Sequence, residues 1–266
     1  MKKKIIAISS LLTAGVLASG LAQADLTVRA GVSTWSTPVS GYVQGSSDQP
    51  RLSASGSLGL KDDNQQQLFL EFDHFVPMVP NLRISKTDLE FNGSRNQSFT
   101  FRDRTFTGNT TSLLDLSHTD ITAYYRFLDG ITAFVPWIGL RVEAGVTVRL
   151  FDGAISVTGD VAGQPDKQEQ AVDLDAPLPM GYLAGRITLG DSLSVGAGVN
   201  AISYQGSGLM DRVIDARYEI GFLPLISPGI MVGHRSFNLE MDDLSGAYGD
   251  LDISGPFAGI YVRAGF

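Results

Sequence analysis

The sequence predicts an all-β fold in which about ten antiparallel strands close into a transmembrane β-barrel, with eight or twelve strands as alternatives. Three observations predict it: a secretory amino-terminal segment, period-two alternation in segments of about ten residues, and charges confined to one face of those segments. After residue 24, no apolar run reaches the roughly 18 residues that a membrane-spanning helix needs. A membrane-spanning structure in this chain must therefore be built from strands.

The amino-terminal segment has the three parts of a secretory signal peptide. Three lysines precede an apolar stretch over residues 5–21, and Ala22 and Ala24 then form an A-x-A cleavage site. Small and polar residues dilute the apolar stretch, and no charged stop-transfer flank follows it. Residues 1–24 are therefore predicted to be removed, which leaves a single barrel domain over residues 25–266.

Charge and cysteine content exclude several classes of function. Without the three lysines of the signal peptide, 17 Lys and Arg face 28 Asp and Glu, a net charge of −11. A nucleic-acid partner is not expected, because its binding face needs a basic stripe. The chain has no cysteine, which excludes disulfides, thiolate chemistry and cysteine-based zinc sites. No metal or other cofactor is predicted.

The clearest alternation of apolar and polar residues covers residues 137–151. One face of this segment is entirely apolar, whereas the other carries glycine, threonine and charged residues. The apolar positions are Ile138, Leu140, Val142, Ala144, Val146, Val148 and Leu150. A helix would mix the two sets around its surface, so the segment is predicted to be a strand.

The same pattern predicts ten strands in the whole chain. They cover residues 25–35, 66–75, 82–91, 117–127, 137–151, 178–189, 193–204, 212–222, 230–239 and 251–266. Short turns alternate with longer polar stretches, which are predicted to be extracellular loops over residues 36–65, 92–116, 152–177, 205–211 and 240–250. An even number of strands leaves both ends of the chain on the same side of the membrane.

The distribution of charges is the strongest evidence for a membrane barrel. A charged Arg or Lys facing the bilayer midplane costs about 2 to 4 kcal/mol, so charges must lie on the face that points into the lumen. With the apolar faces turned to lipid, nine arginines and six acids share that inner face. This predicted lumen network comprises Arg29, Glu71, Asp73, Arg83, Asp120, Arg126, Arg141, Glu143, Arg149, Arg186, Asp215, Arg217, Glu219, Arg235 and Arg263.

A soluble periplasmic β-barrel binding protein is the alternative fold, since it also alternates apolar with polar residues. Its apolar face would point inward to a core. Long strands and aromatic residues near strand ends favour the membrane barrel, because aromatic girdles lie at both membrane interfaces.

Two segments resemble known outer-membrane proteins. Residues 257–266, F-A-G-I-Y-V-R-A-G-F, end in Phe266 and resemble the terminal strand signal that the outer-membrane assembly machinery reads. Residues 70–84, L-E-F-D-H-F-V-P-M-V-P-N-L-R-I, resemble a hairpin with an acidic-aromatic-x-His strand end and a P-x-x-P-N turn. That hairpin occurs in a largely uncharacterised family of Gram-negative outer-membrane proteins. Residues 118–127 and 255–259 also resemble members of this family.

The resemblance implies a barrel in the cell outer membrane, exported through the periplasm. The expected partners are outer-membrane lipid, lipopolysaccharide and the assembly machinery. The family implies no established activity and no catalytic residues.

Catalysis is not expected from the titratable residues. Only three histidines exist, and of these His118 shares a strand face with Asp120 near the predicted outer rim, where some outer-membrane proteases place Asp and His pairs. His74 lies near a turn and His234 on an apolar face, so neither would join them. No G-x-S-x-G motif is present. An outer-membrane enzyme of protease or lipase type is therefore the alternative to a non-enzymatic barrel.

A lumen of ten strands is only slightly wider than one of eight, which side chains fill. The predicted function is a narrow channel for small solutes or a structural or binding role. The sequence leaves the solute, the ligand and the oligomeric state open.

Overall fold

The computed structural model describes residues 26–127, 137–175, 177–221, 225–244 and 246–265. Within these ranges, no helix has the length and hydropathy of a membrane span. The strands are β1 (Thr27–Thr37), β2 (Val39–Gln44), β3 (Leu52–Ser53), β4 (Asp63–Asp73), β5 (Asn81–Thr87), β6 (Glu90–Asn96), β7 (Phe99–Phe101), β8 (Arg104–Asp115), β9 (His118–Phe127), β10 (Ile138–Phe151), β11 (Gly153–Val161), β12 (Gln168–Leu174), β13 (Pro177–Leu189), β14 (Leu193–Tyr204), β15 (Ser207–Glu219), β16 (Ile226–Leu244) and β17 (Ala247–Gly265).

Ten of these strands form a closed antiparallel barrel, which confirms the predicted fold class and strand number. Their order is β1-β4-β5-β9-β10-β13-β14-β15-β16-β17, and β17 pairs with β1 to close the ring. The seam runs from the pair Thr27 and Gly265 to the pair Trp35 and Phe257. β1 begins and β17 ends at one end of the barrel, where β4 is also followed by β5 and β13 by β14; this end is called here the turn end.

Side chains alternate across the barrel wall as the sequence pattern requires. In β10, Val146 is 55% exposed on the outside, whereas Thr147 and Arg149 are fully buried on the inside. Apolar side chains on the other barrel strands are exposed in the same way, including Leu68, Ile121, Leu183, Ile214 and Ile260. The barrel therefore carries its apolar belt outside and its charges inside, which is the reverse of a soluble barrel.

A positive charge on this belt is expected to destabilise the protein in lipid. We expect the Val146→Arg variant to lose about 2 to 4 kcal/mol of folding free energy in vesicles, because the new guanidinium faces the hydrocarbon region. The measurement is a urea titration of the folded fraction. Thr105→Arg adds the same charge at an exposed site of β8, outside the barrel, and is the control. Equal losses for the two variants would contradict a lipid-facing belt.

The prediction of long extracellular loops is wrong, because most of the residues in these segments form strands. Strands β6, β7, β8, β11 and β12 make a second antiparallel sheet, and β2 and β3 extend the barrel sheet beside β17. We call the residues 38–63, 88–117 and 152–175 the cap, and the end of the barrel beneath them the cap end. The region predicted as a loop over residues 205–211 belongs mostly to β15.

The cap has an apolar core of its own that continues into the upper barrel. The side chains in it are almost completely buried, and they come from cap strands and from the long β16 and β17. Its large members include Trp35, Phe91, Phe101, Phe106, Leu116, Ile155, Phe237 and Leu251. The cap is therefore a folded unit that covers one end of the lumen.

One predicted barrel strand, 82–91, is wrong because it spans two elements. Strand β5 ends at Thr87, where the Asp88 amide donates to the Gln66 carbonyl at 2.9 Å. Strand β6 then starts at Glu90 in the second sheet. The buried Leu89 packs in the cap core between them, so the chain leaves the barrel at this point.

Candidate functional site

The structure places all the predicted lumen residues in ion pairs. All fifteen alternate onto the inner face, and each takes part in at least one salt bridge. The members are Arg29, Glu71, Asp73, Arg83, Asp120, Arg126, Arg141, Glu143, Arg149, Arg186, Asp215, Arg217, Glu219, Arg235 and Arg263. They fall into an upper cluster beneath the cap and a lower network toward the turn end.

The upper cluster is a compact group of two arginines and two aspartates. Arg149 Nε and Nη2 donate to the two carboxylate oxygens of Asp120, each at 2.7 Å, and Nη2 also donates to Asp211 at 2.6 Å. Arg235 donates to both oxygens of the same Asp211 at 2.9 and 2.6 Å. Charges buried this deeply persist only when paired, and here two cations match two anions.

Asp211 is the member that sequence reasoning missed. It was assigned to a loop, but it lies in β15 and pairs with Phe237 of β16. The available signal was the parity of the strand, because residues 211, 213 and 215 share one face and Asp215 had been placed in the lumen.

His118 adjoins the upper cluster but is not arranged for catalysis. Its Nδ1 lies 2.7 Å from the Leu116 carbonyl, and its Nε2 lies 3.4 Å from Arg235 Nη2. The ring stacks on Phe237, with 6.1 Å between centroids. His118 is 2% exposed and Asp120 5% exposed, so both side chains are buried. Burial therefore restricts access of a substrate to this pair.

The same residues have the spacing of a metal site but an unfavourable charge environment. One ligand atom from each of His118, Asp120 and Asp211 lies within 4.8 Å of the others. Both carboxylates already accept from arginines, so a divalent cation would have to displace buried guanidinium groups. The other histidines are remote: His74 contacts the Pro80 carbonyl in the turn, and His234 is exposed outside the barrel.

The lower network is organised around Glu71. Arg29 Nη1 donates to it at 2.6 Å and Arg83 Nε at 3.0 Å, and Arg217 Nη1 lies 3.6 Å away. Tyr182 extends the network, because its hydroxyl donates to Glu143 at 2.6 Å and accepts from Arg83 at 2.7 Å. Tyr182 was not among the predicted lumen residues, although it lies on the same face of β13 as Arg186.

The remaining arginines lie toward the turn end, where the side chains of Arg186 and Arg263 are more exposed than those of Arg149 and Arg235. Arg263 Nε donates to Glu219 at 2.7 Å, and Arg186 contacts both oxygens of Asp215 at 2.7 and 2.8 Å. Arg141 Nη1 lies 3.6 Å from a carboxylate oxygen of Asp73 and 3.8 Å from one of Glu143. This end therefore contains several guanidinium groups within a partly exposed space.

Three inward glycines, Gly196, Gly233 and Gly259, do not open a path through the lumen. A Cβ on Gly196 would lie 2.6 Å from the Arg186 guanidinium, and one on Gly233 would lie 2.6 Å from the Phe257 ring. Gly259 is covered in the same way by Met231. Neighbouring side chains thus occupy the room that the missing Cβ atoms leave.

Two of the cavities that the described residues enclose lie in the lumen. The first, of about 150 Å³, lies below the upper cluster. The second, of about 200 Å³, lies at the turn end beside Asp191 and Ser192. Arg29, Arg141 and Arg186 line both cavities and form the boundary between them.

Above the first cavity, the lumen is filled. Arg235 lies over the ring of Trp35 at 4.7 Å, and Arg149 lies 5.4 Å from the centre of the Phe237 ring. Trp35 is 2% exposed and Phe237 completely buried, and both belong to the core shared with the cap. Ion pairs and packed aromatic rings therefore close the cap end.

Three predicted site residues, Ala22, Ala24 and Phe266, lie outside the described residues, so the cleavage site and the assembly signal stay predictions. Two arginines of the cap contact other residues of the cap. Arg95 donates to the Ser55 and Gly56 carbonyls, and Arg104 donates to Gln168 at 2.6 Å.

Comparisons with known proteins identify similar solved structures without assigning a family. No family model and no curated protein matches the chain. The outer membrane protease OmpT from Escherichia coli is 10% identical, with a TM-score of 0.42 over 91% of this chain and 97% of the other. The outer membrane protein OprG from Pseudomonas aeruginosa is 12% identical, with a TM-score of 0.31 over 92% and 96% of the two chains.

Proposed function

We propose that this protein is an integral barrel of a Gram-negative outer membrane and that it acts as a binding or structural protein with a closed lumen. The observation that carries the proposal is the filled lumen beneath the cap. A continuous pore through the described barrel would have to pass the upper cluster, where Arg149 is completely buried. Of the two roles that the sequence left open, the closed lumen favours binding or structure over a channel.

The membrane location rests on the outward belt and on the sequence features at both ends. The belt needs a hydrocarbon environment, since exposed apolar surface of this extent is unfavourable in water. The predicted signal peptide and the terminal Phe266 agree with export and with the assembly machinery as a partner. Lipopolysaccharide would then meet the outer wall and the cap, as the resemblance to the uncharacterised outer-membrane family implies.

An outer-membrane enzyme is the second candidate, because His118 and Asp120 lie side by side. We propose that this pair does not catalyse a reaction. Both carboxylate oxygens of Asp120 accept from Arg149, and the ring nitrogens of His118 lie against the Leu116 carbonyl and Arg235 instead of Asp120. A general base also needs contact with its substrate, which burial of His118 prevents.

Electrical recordings test the closed lumen. The protein is first extracted from outer-membrane fractions, and a band that shifts on boiling identifies the folded barrel. We expect no conductance steps above background when this material is placed in planar lipid bilayers. Conductance that depends on Arg141 or Glu143 would contradict the closed lumen and restore the channel. A soluble periplasmic protein without a shifting band would contradict the membrane location.

A further inference from the structure

The turn between β4 and β5 belongs to the hairpin of residues 70–84 and has an apolar composition. Turns are usually rich in Gly, Pro, Asn, Asp and Ser, whereas residues 75–79 are Phe, Val, Pro, Met and Val. Four of these side chains are exposed: 58% for Phe75, 45% for Val76, 89% for Met78 and 50% for Val79. A turn surrounded by water does not need this surface, so its surroundings require another explanation.

The turn continues a part of the belt that is short along the strand. Strand β4 exposes three apolar side chains, Leu68, Leu70 and Phe72, and the next outward position, Gln66, is polar. At about 3.3 Å per residue, the apolar positions span about 13 Å along the strand. The apolar band of an outer-membrane barrel is about 25 Å tall. Residues 75–79 therefore add apolar surface where β4 alone does not supply enough.

A hydrogen bond joins the turn to the outer wall of the barrel. The hydroxyl of Tyr125, on the outward face of β9, donates to the Met78 carbonyl at 2.9 Å. The ring of His74 lies 5.8 Å from the ring of Phe72, a member of the belt. Tyr125 is 44% exposed, and tyrosines in such positions are typical of a membrane interface. The exposed side chains of the turn are therefore continuous with the belt.

The motif residues satisfy several backbone groups of the turn without water. His74 Nδ1 accepts from the Val76 amide at 3.2 Å, so Nε2 carries the proton and donates to the Pro80 carbonyl at 3.1 Å. The side-chain oxygen of Asn81 accepts from the His74 amide at 2.9 Å. Pro77 and Pro80 have no amide hydrogen that needs a partner. In hydrocarbon, backbone groups must be satisfied within the protein, and this turn has that property at these positions.

We propose that residues 75–79 are inserted into the lipid leaflet at the turn end, where acyl chains cover their exposed side chains. Lipid is the occupant that fits this surface, because the surface continues the belt and carries no charge. The inserted turn extends the belt beside β4 and β5 and fixes the depth of the barrel in the bilayer. The inference rests on the proposed membrane location and does not depend on the closed lumen.

Fluorescence quenching in vesicles tests the insertion. The chain has no cysteine, so Met78→Cys provides a single site for a bimane label at a side chain that is 89% exposed. The labelled barrel is placed in phosphatidylcholine vesicles with brominated acyl chains, which quench from the hydrocarbon. Unbrominated vesicles with added iodide measure quenching from water. We expect the brominated chains to quench this label several-fold more strongly than iodide does.

Two other labelled positions calibrate the measurement. Val146→Cys lies on the belt in β10 and should be quenched by brominated chains. Thr105→Cys lies at an exposed position of the cap and should be quenched by iodide. Val79→Cys places a second label in the turn, where we expect the same result as for Met78→Cys. The boiling-shift band verifies that each variant is folded.

A further variant tests the hydrogen bonds of the motif. In the Met78→Cys protein, His74→Ala leaves the Val76 amide and the Pro80 carbonyl without their imidazole partner. Unsatisfied backbone groups favour water over hydrocarbon, so we expect this label to lose quenching by brominated chains and to gain quenching by iodide. His234→Ala removes an exposed imidazole from the outer wall and is the matched control. Equal quenching in the two variants would overturn the role of His74.

The outcomes separate this inference from the proposed function. Quenching of both turn labels by iodide would place the turn in water and overturn the inference. Quenching by neither agent would mean that protein covers the turn, either another part of the chain or a second copy, and would overturn it as well. In both cases, quenching of the Val146→Cys label by brominated chains leaves the membrane location intact. Without quenching of that belt label, the membrane location itself is wrong.

Discussion

Replacing Asp211 by asparagine is expected to lower the free energy of unfolding by about 3 to 5 kcal/mol. The substitution keeps the shape of the side chain but removes the anion that Arg149 and Arg235 share. Arg149 retains Asp120, whereas Arg235 loses the only carboxylate among its described salt-bridge partners. A buried guanidinium without a counter-charge is strongly unfavourable. Urea titration in vesicles, followed by the boiling-shift band, measures the effect.

A matched control and a compensating change make this result specific. Asp166→Asn removes the same charge at an exposed cap position, and we expect it to alter stability by less than about 0.5 kcal/mol. The double variant Asp211→Asn with Arg235→Gln removes the unpaired cation as well, so its loss should be smaller than the sum of the single losses. Additive losses, or an Asp211→Asn effect no larger than the control, would contradict the shared-anion arrangement.

Replacing Phe106 by alanine is expected to unfold the cap while the barrel stays intact. Phe106 is completely buried in the cap core and contacts Phe99, with 6.1 Å between ring centroids. Removing a buried phenyl ring typically costs about 3 to 5 kcal/mol, because a cavity replaces its contacts. Its strand, β8, pairs with other cap strands and with no barrel strand. The loss of stability should therefore affect the cap sheet and not the barrel.

Limited proteolysis combined with hydrogen exchange checks this prediction. We expect faster cleavage within residues 92–116 and faster exchange of β6 and β8, with no change in the boiling-shift band. Thr105→Ala changes the exposed neighbour of Phe106 and is the control. If the barrel band disappears together with the cap, the two parts fold as one cooperative unit and the prediction is wrong.

The barrel could be predicted because each of its strands has an apolar face outside the barrel and a polar or charged face inside it. Alternation in β10 follows directly from lipid outside and ion pairs inside, and the same rule placed Arg149 and Asp120 in the lumen. The partners within the lumen were not predictable, since ion pairs such as Arg83 with Glu143 join strands that are distant in sequence.

The cap was not predicted because its signals are short and mixed with turn residues. Phe99 and Phe101 of β7 and Phe106 of β8 belong to its core. Residues 102–103 separate the two strands, so the three phenylalanines do not follow one period-two pattern. Polar residues at the exposed positions of the cap strands give these segments the composition of loops. Asp211 was missed for a related reason, because the predicted strand begins at Arg212 whereas β15 begins at Ser207.

The pairing of β1 with β17 has a consequence for how the protein reaches its native state. These strands are hydrogen-bonded neighbours although more than 200 residues separate Thr27 from Gly265. Until the last strand is synthesised and delivered, β1 has an exposed edge whose amides and carbonyls have no partner in hydrocarbon. The ring can therefore close only when β17 is available to pair with β1, and until then the preceding strands cannot form the native barrel.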